Sequence, residues 1–328
     1  MNKNIQMSTS NDSFYDPSSV EISFPRSIRF WFLLIVDIPS SICSFFVLYH
    51  VFADRTLRQA LHNHVIIVLL IAVMTSQFMD IPIYLVFIRL NHVWPQTKPM
   101  CFFWWYVDVG VCNTCGILVA WASIERHILV FHDKWVSTRR KRIIVHYMSL
   151  FVILGYSLGF YLLALVIPSC DHSSIDYNIP WCHYSPCYYN IQWLHLWDVV
   201  VNRLLPSLLI AVFSIALLCR VIWHRHYRMQ RSVEWRKLRK MTIQLVSVSA
   251  VYLIFGFPLF IVQICGLSHV KLNPQIQFWL YFLSFFTVLS LPFVCLASLP
   301  SKLARDTWQT LTYLVLNRRR SVINPPTT

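Results

Sequence analysis

Seven mostly apolar stretches, each long enough to cross a bilayer, constrain this chain more than any other feature. They run Arg29–Ala53, His64–Leu90, Cys101–Phe131, Ile143–Pro168, Ile191–His224, Leu238–Leu267 and Gln275–Leu299. A helix needs about 20 predominantly apolar residues to span the hydrocarbon core. Inside lipid the backbone must satisfy its own hydrogen bonds, so such stretches become helices. Charge is correspondingly scarce. Only 13% of residues are charged and 56% are apolar, against about 25% charged in a soluble domain. The expected fold is all-α: an integral membrane seven-transmembrane helix bundle, with no repeat or low-complexity tract to divide it.

Basic residues set the expected orientation, because cytoplasmic loops carry an excess of Lys and Arg. With the amino terminus outside, 21 of the 28 Lys and Arg residues fall on the inner side, including Arg139–Arg142 and the cluster from Arg225 to Lys240. The formal charge of +14 is this asymmetry. It faces anionic lipid headgroups and is no nucleic-acid footprint. Three regions follow: an extracellular tail over 1–28, the transmembrane domain over 29–299, and a cytoplasmic segment over 300–328. The expected location is the plasma membrane. Asn11-Asp12-Ser13 forms a glycosylation sequon on the outer side. Past Pro300, Ala304, Trp308, Leu311 and Val315 recur at helical spacing among Lys302, Arg305 and Asp306. That pattern predicts a short amphipathic eighth helix over Ser301–Leu316, lying on the inner surface.

Of the ten cysteines, Cys101, Cys170, Cys182 and Cys187 fall on the outer side, where disulfides persist. Four cysteines allow three pairings. Cys112 and Cys115 have the spacing of a metal pair, but no His or Cys is placed to complete a set, so no metal and no cofactor are expected. The histidines, His64 and His146 among them, are scattered and form no desaturase-type cluster.

Glu125-Arg126-His127 closes the third stretch and a basic run follows. Cys101 lies 25 residues before Arg126, about 37 Å along a helix, at the opposite membrane face. With seven spans, this arrangement resembles a rhodopsin-like G-protein-coupled receptor. The resemblance implies a Cys101–Cys182 bridge, with Cys170–Cys187 as a second. It implies that Glu125 restrains Arg126 until helix six moves outward to admit a heterotrimeric G protein, and that Trp135 is a candidate G-protein contact. The pattern is divergent. Gly256 stands where many members have Trp, Leu291-Pro292-Phe293-Val294-Cys295 lacks the usual Asn and Tyr, Ser214 replaces a Tyr, and no acid lies near Val73. The usual polar network between pocket and switch is therefore not expected. An opsin is excluded, since the seventh span has no Lys and Phe285 occupies the Schiff-base position.

The outer half of the bundle is acidic. Asp108 lies two turns in from Cys101, Asp80 just before Pro82, and Asp198 two turns before Pro206. Buried carboxylates need partners, and Arg203 is the basic residue at similar depth. Either a cationic ligand neutralises the excess, or Asp108 or Asp198 pairs internally with Arg203. In amine and several peptide receptors, the resemblance implies, an Asp at the position of Asp108 binds the ligand. Trp105 and Trp279 are expected to wall the site, with Trp104, Tyr106, Trp193, Trp197 and Phe278 as further candidates for cation–π contacts. The expected partners are thus an extracellular amine or basic peptide, a G protein and the bilayer. The rival reading is a secondary transporter of a small cationic solute. It would show related halves and helices broken at the midplane, and seven spans do not divide evenly. No residue set points to an enzyme.

Overall fold

The computed structural model describes residues 25–59, 61–131, 138–166, 175–182, 187–227, 232–268, 270 and 272–298. Seven helices in it are long and apolar enough to cross a membrane. They are α1 (Arg26–Ala53), α2 (Asn63–Leu90), α3 (Lys98–Leu129), α4 (Arg140–Val166), α5 (Gln192–Arg220), α6 (Thr242–Leu267) and α7 (Gln275–Ala297). The described residues include no strand. The expected spans match within a few residues at each end. The differences lie where helices run past the apolar stretch: α5 continues as helix to Tyr227, and helix begins at Ser232 before α6. The sequon at Asn11, the amphipathic segment Ser301–Leu316, Trp135 and Cys170 lie outside the described residues.

Local chemistry explains the ends. Pro99 sits in the first turn of α3, where its missing N–H costs nothing. Asn273 Oδ1 accepts the Gln275 N–H at 2.9 Å and caps α7. Asn91 takes a left-handed φ of 60° and closes α2, its N–H reaching the Phe87 carbonyl.

Helix α3 is the central element. Of its most apolar window 67% is buried, against 28% for α1, α4 and α6. Leu118 and Val119 of α3 anchor a core with Val73, Ile210, Leu217, Leu245 and Leu291. The opposite faces of the outer helices are apolar and exposed, among them Ile35, Phe151, Ile215 and Trp223. They form the belt that lipid covers.

Prolines shape the interior. A proline removes an N–H and crowds the carbonyl four residues earlier. Pro82, Pro206 and Pro258 each follow a π-helical turn, over Ser76–Asp80, Asp198–Leu204 and Tyr252–Gly256. Each wide turn contains the crowded carbonyl, so widening relieves the clash. Pro39 and Pro292 lie within uninterrupted helix. A further π turn, Tyr106–Val111 in α3, has no proline. Wide turns re-aim side chains and gather at functional sites. Asp80, Asp108 and Asp198 all sit on one.

Polar contacts cross the bundle, though not those usual for the resemblance. Gln77 of α2 donates to Ser40 Oγ at 2.6 Å and accepts from Ser44 Oγ at 2.8 Å, both on α1. Ser40 Oγ in turn donates to the Leu289 carbonyl of α7 at 2.8 Å. Ser214, in place of the usual Tyr, meets Ser249 of α6 at 2.8 Å.

Candidate functional site

Cys101 at the start of α3 is bonded to Cys182, with Cα atoms 5.8 Å apart. The expected first bridge is therefore present. The second rests on Cys170 and the Cys187 side chain, which lie outside the description. The bridge fastens the segment Ile175–Cys182 across the bundle, and the Val93 N–H donates to the Tyr177 carbonyl at 2.7 Å. Trp181 and Cys182 take left-handed φ values of 58° and 61°, a region non-glycine residues seldom occupy. The turn brings the Trp181 ring among Tyr84, Trp104, Trp105 and Tyr281, with centroids 5.4–6.3 Å away.

Beneath Trp181 lies a cavity of about 110 Å³. Trp105, Asp108, Asp80, Arg203, Tyr189 and Tyr281 are among its walls. Asp80 is 1% exposed and its Oδ1 accepts from Trp104 Nε1 at 2.8 Å. One oxygen each of Asp80 and Asp108 and the Cys112 sulfur lie within 4.8 Å of one another. Two carboxylates this close repel unless a proton or a cation lies between them. This trio gives Cys112 the partners that its spacing to Cys115 did not reveal. Its ligand atoms could hold a divalent ion. They could equally hold an organic cation, which the surrounding rings favour through cation–π attraction.

Asp198 is placed differently. It is fully buried and not in the cavity wall. Its oxygens accept from Tyr161 Oη at 2.7 Å, Tyr188 Oη at 3.2 Å, Asn202 Nδ2 at 3.2 Å and Arg203 Nε at 3.2 Å. Arg203 Nη2 also donates to Tyr189 Oη at 3.1 Å, and that hydroxyl donates to Gln263 Oε1 of α6 at 2.9 Å. Burial pushes the Tyr188 phenol well above its ordinary value, and Tyr189 upward as well. Both keep their protons and act as donors. Of the two internal pairings left open by the sequence, the structure has Asp198–Arg203. Asp80 and Asp108 meet at the cavity, and no basic residue is hydrogen-bonded to either among the described pairs.

The aromatic residues divide similarly. Trp105 lines the cavity and Trp104 orients Asp80. Trp193 and Trp197 are 69% and 48% exposed on α5. Trp279 is 37% exposed, edge-on to Phe282 and off the cavity wall. Phe278 lies under the Arg29 guanidinium at 4.5 Å. Asp37 is buried with one oxygen unpartnered, and nothing in the structure explains it.

At the far end of α3, Glu125 and Arg126 are 3% and 4% exposed. His127 packs edge-on against Phe213 of α5. Glu125 Oε1 pairs with His146 Nδ1 of α4. His146 Nε2 meets His64 Nδ1 of α2 at 3.0 Å, and His64 Nε2 meets the Arg58 carbonyl at 2.9 Å. Two histidines 82 residues apart in sequence thus form one hydrogen-bonded chain with Glu125. Only the α2–α4 crossing brings them together.

Sequence reasoning also missed Tyr252. A Cβ on Gly116 of α3 would stand 2.1 Å from its hydroxyl. The Tyr252 ring therefore occupies the notch this glycine leaves and forms the floor of the cavity. Trp181, Tyr189 and Tyr252 carry no local sequence signal for these roles.

Residues 44–296 match the family described as 7 transmembrane receptor (rhodopsin family). No curated protein matches the chain.

Proposed function

The chain belongs to the rhodopsin family of seven-transmembrane receptors, and we propose that its ligand is a small organic cation anchored between Asp80 and Asp108. Receptors of this family are signalling proteins and not enzymes, and the transporter reading falls with that membership. The carrying observation is a pair of carboxylates, Asp80 buried and Asp108 half-buried, in a cavity whose one lining basic residue among the described residues, Arg203, is already bound to Asp198. Asp108 is the anchor, Asp80 shares the charge, and Trp105 supplies a ring face. Arg203 and Asp198 hold the α5 wall in place. A cavity of about 110 Å³ is below the roughly 300–1,000 Å³ of drug-sized sites. It suits a small amine, and a basic peptide would enter by one Lys or Arg side chain.

The amino terminus is extracellular, with Asn11 glycosylated, and the Glu125 end of α3 faces the cytoplasm. There the Glu125-Arg126-His127 triplet restrains the opening to a heterotrimeric G protein, with Trp135 in the following loop as a contact. Ligand and G protein each favour the same open state and so strengthen one another's binding. The test is expression of the full chain in cells, with calcium and cyclic-nucleotide responses to a panel of amines and basic peptides. Asp108→Asn should raise the effective concentration of an active amine about 10–100-fold, the worth of a charge-assisted hydrogen bond, at equal surface expression. An equal response of both proteins would remove Asp108 from the site.

A further inference from the structure

The cavity does not stop at the carboxylates. Its walls continue past Asp108 along α3 to Cys115 and Gly116, and across to Tyr252, Gly256, Val288 and Leu291. Asp108 and Gly116 are about 12 Å apart along the helix axis. The upper part is charged and aromatic, while the lower part is mostly apolar, its polar side chains being Asn113, Ser207, Tyr252 and Thr287.

Two glycines open this lower part. Gly256 follows the wide turn of α6 and puts no side chain into the space. A Cβ there would meet the Tyr252 ring at 3.6 Å and Thr287 Oγ1 at 3.8 Å, ordinary contacts, so the room beside it is real. Gly116 lets Tyr252 lie against α3 rather than rise into the cavity. At the lower wall Thr287 is 7% exposed, lines the cavity, and its hydroxyl finds no partner among the described residues. A buried hydroxyl without a partner costs free energy, and a ligand atom reaching it would remove that cost.

We infer that this receptor takes an amphiphilic cation: an ammonium head at Asp80 and Asp108, and a slim apolar arm descending past Gly256 to a polar tip at Thr287. The proposal rests on the cationic reading of the same site and adds the arm. The arm fills space that a large residue at position 256 would close. Its length is set by Tyr252, which forms the floor.

The experiment uses the detergent-purified full-length receptor and follows thermal stabilisation by straight-chain alkylamines from ethylamine to octylamine. Alcohols of equal length control for detergent partitioning. In the wild type, apparent affinity should rise about fourfold per methylene, the worth of one buried methylene, and level off once the chain meets the floor. An amino-alcohol reaching the floor should gain over its plain amine, and the gain should vanish in Thr287→Val. Gly256→Leu should flatten the length dependence. Gly256→Ala, whose Cβ meets only ordinary contacts, should reduce the gain partway and serves if the Leu variant does not fold. Amines that bind through Asp108 without length dependence, or with the same dependence in the Gly256 variants, would overturn the arm and leave the cationic site standing. A series that binds Asp108→Asn as it binds the wild type would overturn the head, and with it both readings.

Discussion

Gly116→Ala tests the contact between α3 and Tyr252 of α6. The added Cβ would lie 2.1 Å from Tyr252 Oη, 2.7 Å from Cζ and 3.1 Å from Cε1. The first two distances are shorter than real Cβ contacts, so Tyr252 must leave the notch or the helices must part. The Tyr252 hydroxyl reaches the Cys112 carbonyl at only 3.5 Å, a weak bond by geometry. What would be lost is therefore mainly packing. Overpacking a close-packed core costs about 1–3 kcal/mol, and a rigid ring clashing at two atoms belongs in the upper half of that range. The Tyr252→Leu partner variant removes the clashing atoms. In that background Gly116→Ala should cost less than about 0.5 kcal/mol, leaving a coupling near 2 kcal/mol, typical of residues in direct contact. The assay is SDS denaturation of the purified receptor for both single variants, the double variant and the wild type. Additive effects within about 0.5 kcal/mol would refute the notch.

Asp198→Asn should lower surface expression sharply. Breaking one partner of a buried ion pair costs about 3–5 kcal/mol, and Asp198 accepts four side-chain bonds; expression equal to wild type would sink the structural role given to it. The Cys101→Ser and Cys182→Ser variants should each lose up to about 4 kcal/mol, since the bridge spans 81 residues and long loops gain most from closure. Flow cytometry would read this as reduced surface receptor, with the double variant no worse than either single one. His146→Leu leaves the Glu125 carboxylate buried without its α4 partner, at a cost of about 1–3 kcal/mol. Basal signalling per surface receptor should change if Glu125 is part of the switch, and an unchanged basal level would confine His146 to packing.

The sequence alone determined that this chain is a bundle of seven membrane helices. The reason is local: each span must be long, apolar and internally hydrogen-bonded, and those demands can be read residue by residue. It also marked Cys101, Glu125 and Arg126, because helical rise converts their spacing into opposite membrane faces. It gathered the acids Asp80, Asp108 and Asp198 at one depth, but it could not assign their roles. Tertiary structure made Asp198 the partner of Arg203 and turned Asp80 and Asp108 toward the cavity. It also joined His146 to Glu125 and set Tyr252 against Gly116, 136 residues away in sequence. These pairings depend on how each helix is rotated and where it crosses its neighbours. The π turns before Pro82, Pro206 and Pro258, and the one in α3 without a proline, shift that rotation partway along a helix. Apolar residues surround such a helix on all sides, so its hydrophobic pattern carries too little phase to reveal which residues face inward.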